Sequence, residues 1–225
     1  MLYVFVVSSV LIMIGELADK SQLLALMLAT RYKAWQVLLG IFIATFIVHF
    51  FSTAFGVFAG RLIPDGVLPW VSGLMFVFFG VWTLRGDTID DEDGAVGRWT
   101  RLGPVAAVGV AFFFAELGDK TQIMTIAIAA DPGGAILEFL KGMGPAFSAR
   151  MASVGLVPTT DLPVAVRFWG VTLGSTVGMV LADALAIGVG RLLGKRLPER
   201  ALTRVSGFAF IAFGLVTMAA PYLTG

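Results

Sequence analysis

The chain has 225 residues, 58% of them hydrophobic and only 14% charged, with a formal net charge of +1. Soluble domains carry roughly 25% charged residues, so a mean hydropathy of +0.91 excludes an ordinary water-soluble globule and makes lipid the solvent for most of the surface. The absence of cysteine and the single histidine, His49, exclude disulfides, thiolate centres and a His-rich zinc site, and nothing in the composition marks a nucleic-acid partner.

Taken in order, apolar runs fall at 2–30, 35–60, 68–84, 104–130, 166–193 and 201–222. A bilayer-spanning helix takes about 20 apolar residues, whereas barrel strands alternate over about 10. The runs are continuous and long, which predicts an all-α integral membrane protein with six transmembrane helices. The first run begins at once with Met1-Leu2-Tyr3. It has neither the basic start nor the small-residue cleavage site of a signal peptide, which predicts a retained helix. Between the third and fourth runs, residues 85–103 form a linker with Asp87, Asp90, Asp91, Glu92 and Asp93. The long connection 131–165 holds Pro132, Pro145, Pro158 and Pro163. Its apolar piece 135–143 is too short to span and suits a short interfacial helix.

If the six spans alternate, one side carries Arg31, Lys33, Arg85, Arg98, Arg101, Arg191, Lys195, Arg196, Arg200 and Arg204. The other carries Arg61, Lys141, Arg150 and Arg167. The positive-inside rule puts the richer side in the cytoplasm. The expectation is therefore a multi-pass protein of the cell's inner (plasma) membrane with both termini outside the cytoplasm.

The runs contain an internal repeat. Glu16-Leu17-Ala18-Asp19-Lys20-Ser21-Gln22 matches Glu116-Leu117-Gly118-Asp119-Lys120-Thr121-Gln122 at five of seven positions. Gly60-Arg61-Leu62 returns as Gly190-Arg191-Leu192, and Val71-Ser72-Gly73 as Val205-Ser206-Gly207. Residues 1–84 and 104–225 are thus two three-helix repeats. An odd number of spans per repeat sends the second half in from the opposite face, which predicts inverted repeats with a site near the midplane. Gly73, Gly80, Gly207 and Gly214 are expected at helix-packing surfaces.

Each copy places charge where it is costly. One charged side chain at the bilayer centre costs at least about 2.5–3.5 kcal/mol, so six of them must face inward and be neutralised. On a continuous helix Glu16 and Asp19 share a face, and Lys20 is one turn from Glu16; Glu116, Asp119 and Lys120 repeat the arrangement. Four carboxylates and two ammoniums sum to −2, which one divalent cation or two protons would bring to zero. Carboxylate, amide and hydroxyl oxygens suit Ca2+, Mn2+ or Mg2+. The candidate metal ligands are Glu16, Asp19, Glu116 and Asp119. Gln22, Gln122, Ser21 and Thr121 are candidate additional ligands, with helix packing as their rival role. Lys20 and Lys120 are charge partners. A purely structural reading, in which Glu16–Lys20 and Glu116–Lys120 are intrahelical ion pairs, competes with a site.

The motif E-x-G-D-K/R-S/T, present twice in a six-span protein of this length, resembles the cation/proton exchanger family of Golgi manganese/calcium transporters and bacterial manganese exporters. The resemblance covers nearly the whole chain. It implies exchange of Mn2+ or Ca2+ against protons, with Glu16, Asp19, Glu116 and Asp119 as ligands and no permanently bound cofactor. The sequence departs from the pattern at Ala18, where an added methyl limits close helix approach. The expected partners are the cation, protons and the bilayer, with homo-oligomerisation left open. A small-molecule exporter of the amino-acid type on a similar three-plus-three fold is the alternative. A membrane-embedded metalloenzyme lacks an evident nucleophile, and no enzyme activity is expected.

Two further polar residues fall mid-span, His49 in the second run and Asp183 in the fifth. At the 130-residue offset they are about one helical turn apart in the repeat frame. A proton relay or outer ligand shell is one role for them; a packed histidine and a helix-to-helix hydrogen bond are the others.

Overall fold

The computed structural model of the chain describes residues 1–17, 19–64, 67–85, 103–131, 162–193 and 199–223, with a few single positions between 146 and 153. Among the described residues the fold is all-helical, without strands. The helices are α1 (Leu2–Glu16), α2 (Lys20–Arg31), α3 (Ala34–Leu62), α4 (Leu68–Arg85), α5 (Pro104–Glu116), α6 (Lys120–Ala130), α7 (Val164–Leu193) and α8 (Glu199–Leu223). The acidic residues of 87–93 and the apolar piece 135–143 lie outside the described residues.

By length and composition, α3 and residues 164–190 of α7 can each cross a membrane. At about 1.5 Å per residue the 29 residues of α3 reach about 43 Å, more than a hydrocarbon core needs. The first predicted run is divided: α1 and residues 21–31 of α2 have the apolar content of one span but are bent by 81° at the break. The fourth predicted run is divided in the same register, α5 ending at Glu116 and α6 starting at Lys120. The expectation of unbroken helices over 2–30 and 104–130 is therefore corrected, and both breaks fall inside the repeated motif. The described parts of α4 and α8, Trp70–Arg85 and Gly207–Ala219, are shorter apolar helices.

Close backbone approach sets the packing. In the α4–α8 pair a Cβ added to Gly80 would lie 2.6 Å from the Gly207 carbonyl oxygen, and one on Gly214 would lie 2.5 Å from that of Gly73. Early α4 meets late α8 and late α4 meets early α8, so the two helices run antiparallel. Only a missing side chain lets these backbones touch. Along α1 and α7 the order is the reverse: Gly170 meets Val4, Gly174 meets Phe5 and Ser8, and Gly178 meets Ser9. These helices run parallel. On α3, Gly40 meets Val105 of α5, Gly56 meets Ile126 of α6 and Gly60 meets Ala130 of α6, again in parallel order.

Two apolar clusters form the interior. One joins Val4 and Ile12 of α1, Phe76 and Phe79 of α4, Met124 and Ile128 of α6, Met179 of α7 and Phe210 of α8. The other joins Leu24 and Leu28 of α2, Val37 and Ile41 of α3, Val108 and Phe112 of α5, and Ile187 of α7. Large apolar side chains also face out, among them Phe51, Phe55, Phe58, Phe78, Phe114 and Phe208. Lipid is a suitable solvent for such side chains.

Candidate metal centre

The motif residues that look like one helical face are the ends of four helices. Glu16 is the last residue of α1, and Leu17 turns to an extended backbone (φ −61, ψ 120). Glu116 closes α5, Leu117 is likewise extended, and Asp119 stands at the N-cap of α6 without a side-chain capping bond. Between them Gly118 has φ +82, a conformation open to glycine and costly for a residue with a Cβ. A Cβ at Gly118 would meet nothing within 4 Å. The glycine of the second copy thus serves the turn rather than close helix approach. Ala18 itself lies outside the described residues.

The hydroxyls act on the glutamates in matching fashion. Ser21 Oγ donates to Glu16 Oε2 at 2.6 Å, and Thr121 Oγ1 donates to Glu116 Oε2 at 2.9 Å. Ser21 and Thr121 therefore orient carboxylates. The glutamines differ between copies: Gln122 Oε1 accepts from the Gly118 backbone N–H at 2.7 Å, while Gln22 Nε2 donates to the Ala182 carbonyl at 3.5 Å.

The lysine pairing crosses between the copies. Lys120 Nζ lies 2.5 Å from Asp19 Oδ2, both side chains buried. The intrahelical Glu116–Lys120 pairing allowed by sequence is replaced because the helix breaks between these residues. The side chain of Lys20 lies outside the described residues.

Three of the four candidate ligands converge. Glu16, Glu116 and Asp119 each offer an oxygen, and these oxygens all lie within 4.8 Å of one another. Asp19 is not in this group. Glu16 and Glu116 are buried and Asp119 is half-buried. Glu16 Oε1 is a buried acceptor without a hydrogen-bond partner among the described residues, as expected of an oxygen that a cation would take up. An all-oxygen donor set of this kind fits a hard dication.

His49 is buried, with Nδ1 3.4 Å from Thr176 Oγ1. Asp183 is fully buried, and neither carboxylate oxygen has a hydrogen-bond partner among the described residues. No described contact joins His49 to Asp183. A feature not read from the sequence is the row of buried hydroxyls that accompanies them: Thr45, Ser52 and Thr53 on α3, and Thr172, Ser175 and Thr176 on α7. Thr172, Ser175 and Thr176 recur at three and four residues, and Thr45, Ser52 and Thr53 lie four before, three after and four after His49; that spacing inside apolar runs is the signal that could have found them.

The profile described as "Divalent cation/proton antiporter GDT1" matches residues 4–91 and 159–224. A protein of Vibrio cholerae named "Putative manganese exporter" is 29% identical over 215 residues, covering 95% of this chain and 90% of its own length. A GDT1-like protein of Synechocystis is 24% identical, covering 96% of this chain and 97% of its own length. Protein PAM71 of Arabidopsis thaliana chloroplasts is 29% identical, covering 96% of this chain and 56% of its own length. No solved structure matches the chain. With a match over most of its length, acidic motifs in both halves and helices that can cross a bilayer, the chain belongs to the GDT1 family of divalent cation/proton antiporters.

Proposed function

We propose that the chain exports a divalent cation, Mn2+ or Ca2+, from the cytoplasm against protons, through a midplane site built from Glu16, Asp19, Glu116 and Asp119. The observation that carries this reading is the convergence of Glu16, Glu116 and Asp119 oxygens within 4.8 Å at the broken ends of two repeat-related helices. The manganese name of the Vibrio cholerae relative favours Mn2+.

The fold we propose for this work is six spans in two inverted three-helix repeats within an inner membrane, both termini outside the cytoplasm. α4 and α8 occupy corresponding places in the two halves. Their antiparallel crossing through Gly73–Gly214 and Gly80–Gly207 supports inversion; halves related by an axis along the membrane normal would set them parallel. The parallel order of α1 with α7, and of α5 with α3, fits the same exchange of halves.

In such a site each half delivers one glutamate at a helix C-terminus and one aspartate at a helix N-terminus. Asp19 and Asp119 stand at the positively polarised N-terminal ends of α2 and α6. Ser21 and Thr121 hold one oxygen of each glutamate and leave the other to the cargo. Lys120 on Asp19 ties the two copies together, so rearrangement of one half is felt by the other. Cation and protons compete for the same carboxylates, and that competition couples their movements.

The amino-acid-exporter alternative needs a polar chamber. The cavity of about 600 Å3 between α3 and α5, one of those among the described residues, is lined by apolar side chains such as Ile43, Ile47, Val110 and Phe113 and is not such a chamber. The test is Mn2+-driven proton flux in proteoliposomes. The flux is expected in wild type and lost in Glu16→Gln and Glu116→Gln; unchanged flux in both variants would overturn the site.

A further inference from the structure

Asp183 lies in α7, outside the repeated motif, with a fully buried side chain. Neither of its carboxylate oxygens has a hydrogen-bond partner among the described residues, and Glu16 Oε1 shares that condition. About 90% or more of buried polar groups in folded proteins are paired, and each exception calls for an explanation such as a water or ion. Three orphaned carboxylate oxygens in one interior point to a positively charged guest.

The helix that carries Asp183 packs against α1 and α2, the two helices on either side of the first motif. The Gln22 side chain donates to the carbonyl of Ala182, which ties α2 to α7 one residue before Asp183. The corresponding position in the first half is Thr53, a buried hydroxyl on α3. The two halves therefore differ: one brings an acid to the interior at this place, the other a neutral oxygen.

We propose that Asp183 is a ligand of the transported dication, a fifth acid outside the motif that takes the cation together with Glu16. This rests on the antiport reading above. A structural hydrogen bond between helices would need a partner, and no described residue supplies one. Buried like charges repel unless a cation lies between them, and a dication answers the Asp183 and Glu16 charges while Lys120 answers that of Asp19.

The test is calorimetric titration of the purified full chain with Mn2+ alone, for wild type, Asp183→Asn, Asp183→Glu and Glu16→Gln. Asp183→Asn is expected to bind Mn2+ about tenfold or more weakly, at least the loss seen for outer-shell partners, with its unfolding temperature kept. Asp183→Glu, which keeps the charge, should recover much of the affinity. Wild-type affinity in Asp183→Asn alongside loss in Glu16→Gln overturns the Asp183 assignment and leaves the antiport site standing. Unchanged binding in both overturns the antiport site. Equal loss in Asp183→Asn and Asp183→Glu with lowered unfolding temperatures marks a structural residue and also overturns the proposal. Should Asp183→Asn not fold, a Mn2+-bound structure of the wild type decides: an Asp183 oxygen at bonding distance supports the assignment, and a cation held by Glu16, Glu116 and Asp119 with Asp183 out of reach overturns it.

Discussion

Lys120 Nζ and Asp19 Oδ2 form a buried ion pair between the second copy of the motif and the first. Removing one partner of a buried pair leaves an uncompensated charge and costs about 3–5 kcal/mol, whereas replacing both can be close to neutral. Lys120→Gln and Asp19→Asn should each lower the unfolding temperature in detergent strongly, and the double variant should recover part of the loss. A double-mutant cycle measures this; additive losses would mean that the pair does not couple the halves.

The two hydroxyl contacts on the glutamates predict a graded effect. Hydrogen bonds to charged groups contribute about 1.5–3 kcal/mol. Ser21→Ala and Thr121→Val should therefore raise the KM for Mn2+ in proteoliposomes by about tenfold while leaving transport measurable. Glu16→Gln and Glu116→Gln should abolish it. Equal effects of both kinds of variant would argue against an orienting role for the hydroxyls.

The glycines divide into two kinds. Gly118 carries φ +82 with nothing near its missing Cβ, so Gly118→Ala should cost roughly 1–2 kcal/mol of backbone strain. Gly80 and Gly214 lie against backbone carbonyls of the partner helix. Gly80→Val or Gly214→Val must push α4 and α8 apart, and loss of folded protein on size-exclusion chromatography is expected. Thermal unfolding of Gly118→Ala beside Gly80→Val separates conformational from steric need.

Coupling makes a prediction about direction. If cation and protons compete for one carboxylate set, a pH gradient drives Mn2+ toward the more acidic compartment, and reversing the gradient reverses the movement. A manganese-sensitive dye inside vesicles reads this. Uptake independent of gradient direction would point to uniport.

Much of the architecture was legible in the chain. The apolar runs marked where helices lie, Gly73, Gly80, Gly207 and Gly214 were expected at packing surfaces and lie at one, between α4 and α8, and three of the four repeated acids, Glu16, Glu116 and Asp119, bring their oxygens together. The breaks at 117–119 and at the matching place in the first copy were not legible. Glu, Leu, Ala and Lys are all good helix formers, and only Gly118 hinted at a turn. Because the helices break there, face-sharing by three- and four-residue spacing gave the wrong lysine partner. Lys120 reaches Asp19, a contact between repeats that local spacing cannot encode. The hydroxyls on α3 and α7 were obscured because serine and threonine in membrane helices so often serve only helix packing.

The most direct test is a crystal grown with Mn2+ and measured at the manganese absorption edge. The expected result is one anomalous peak between Glu16, Glu116 and Asp119, lost in Glu116→Gln. A peak elsewhere in the fold, with transport intact and no peak among these three carboxylates, would contradict the proposed centre.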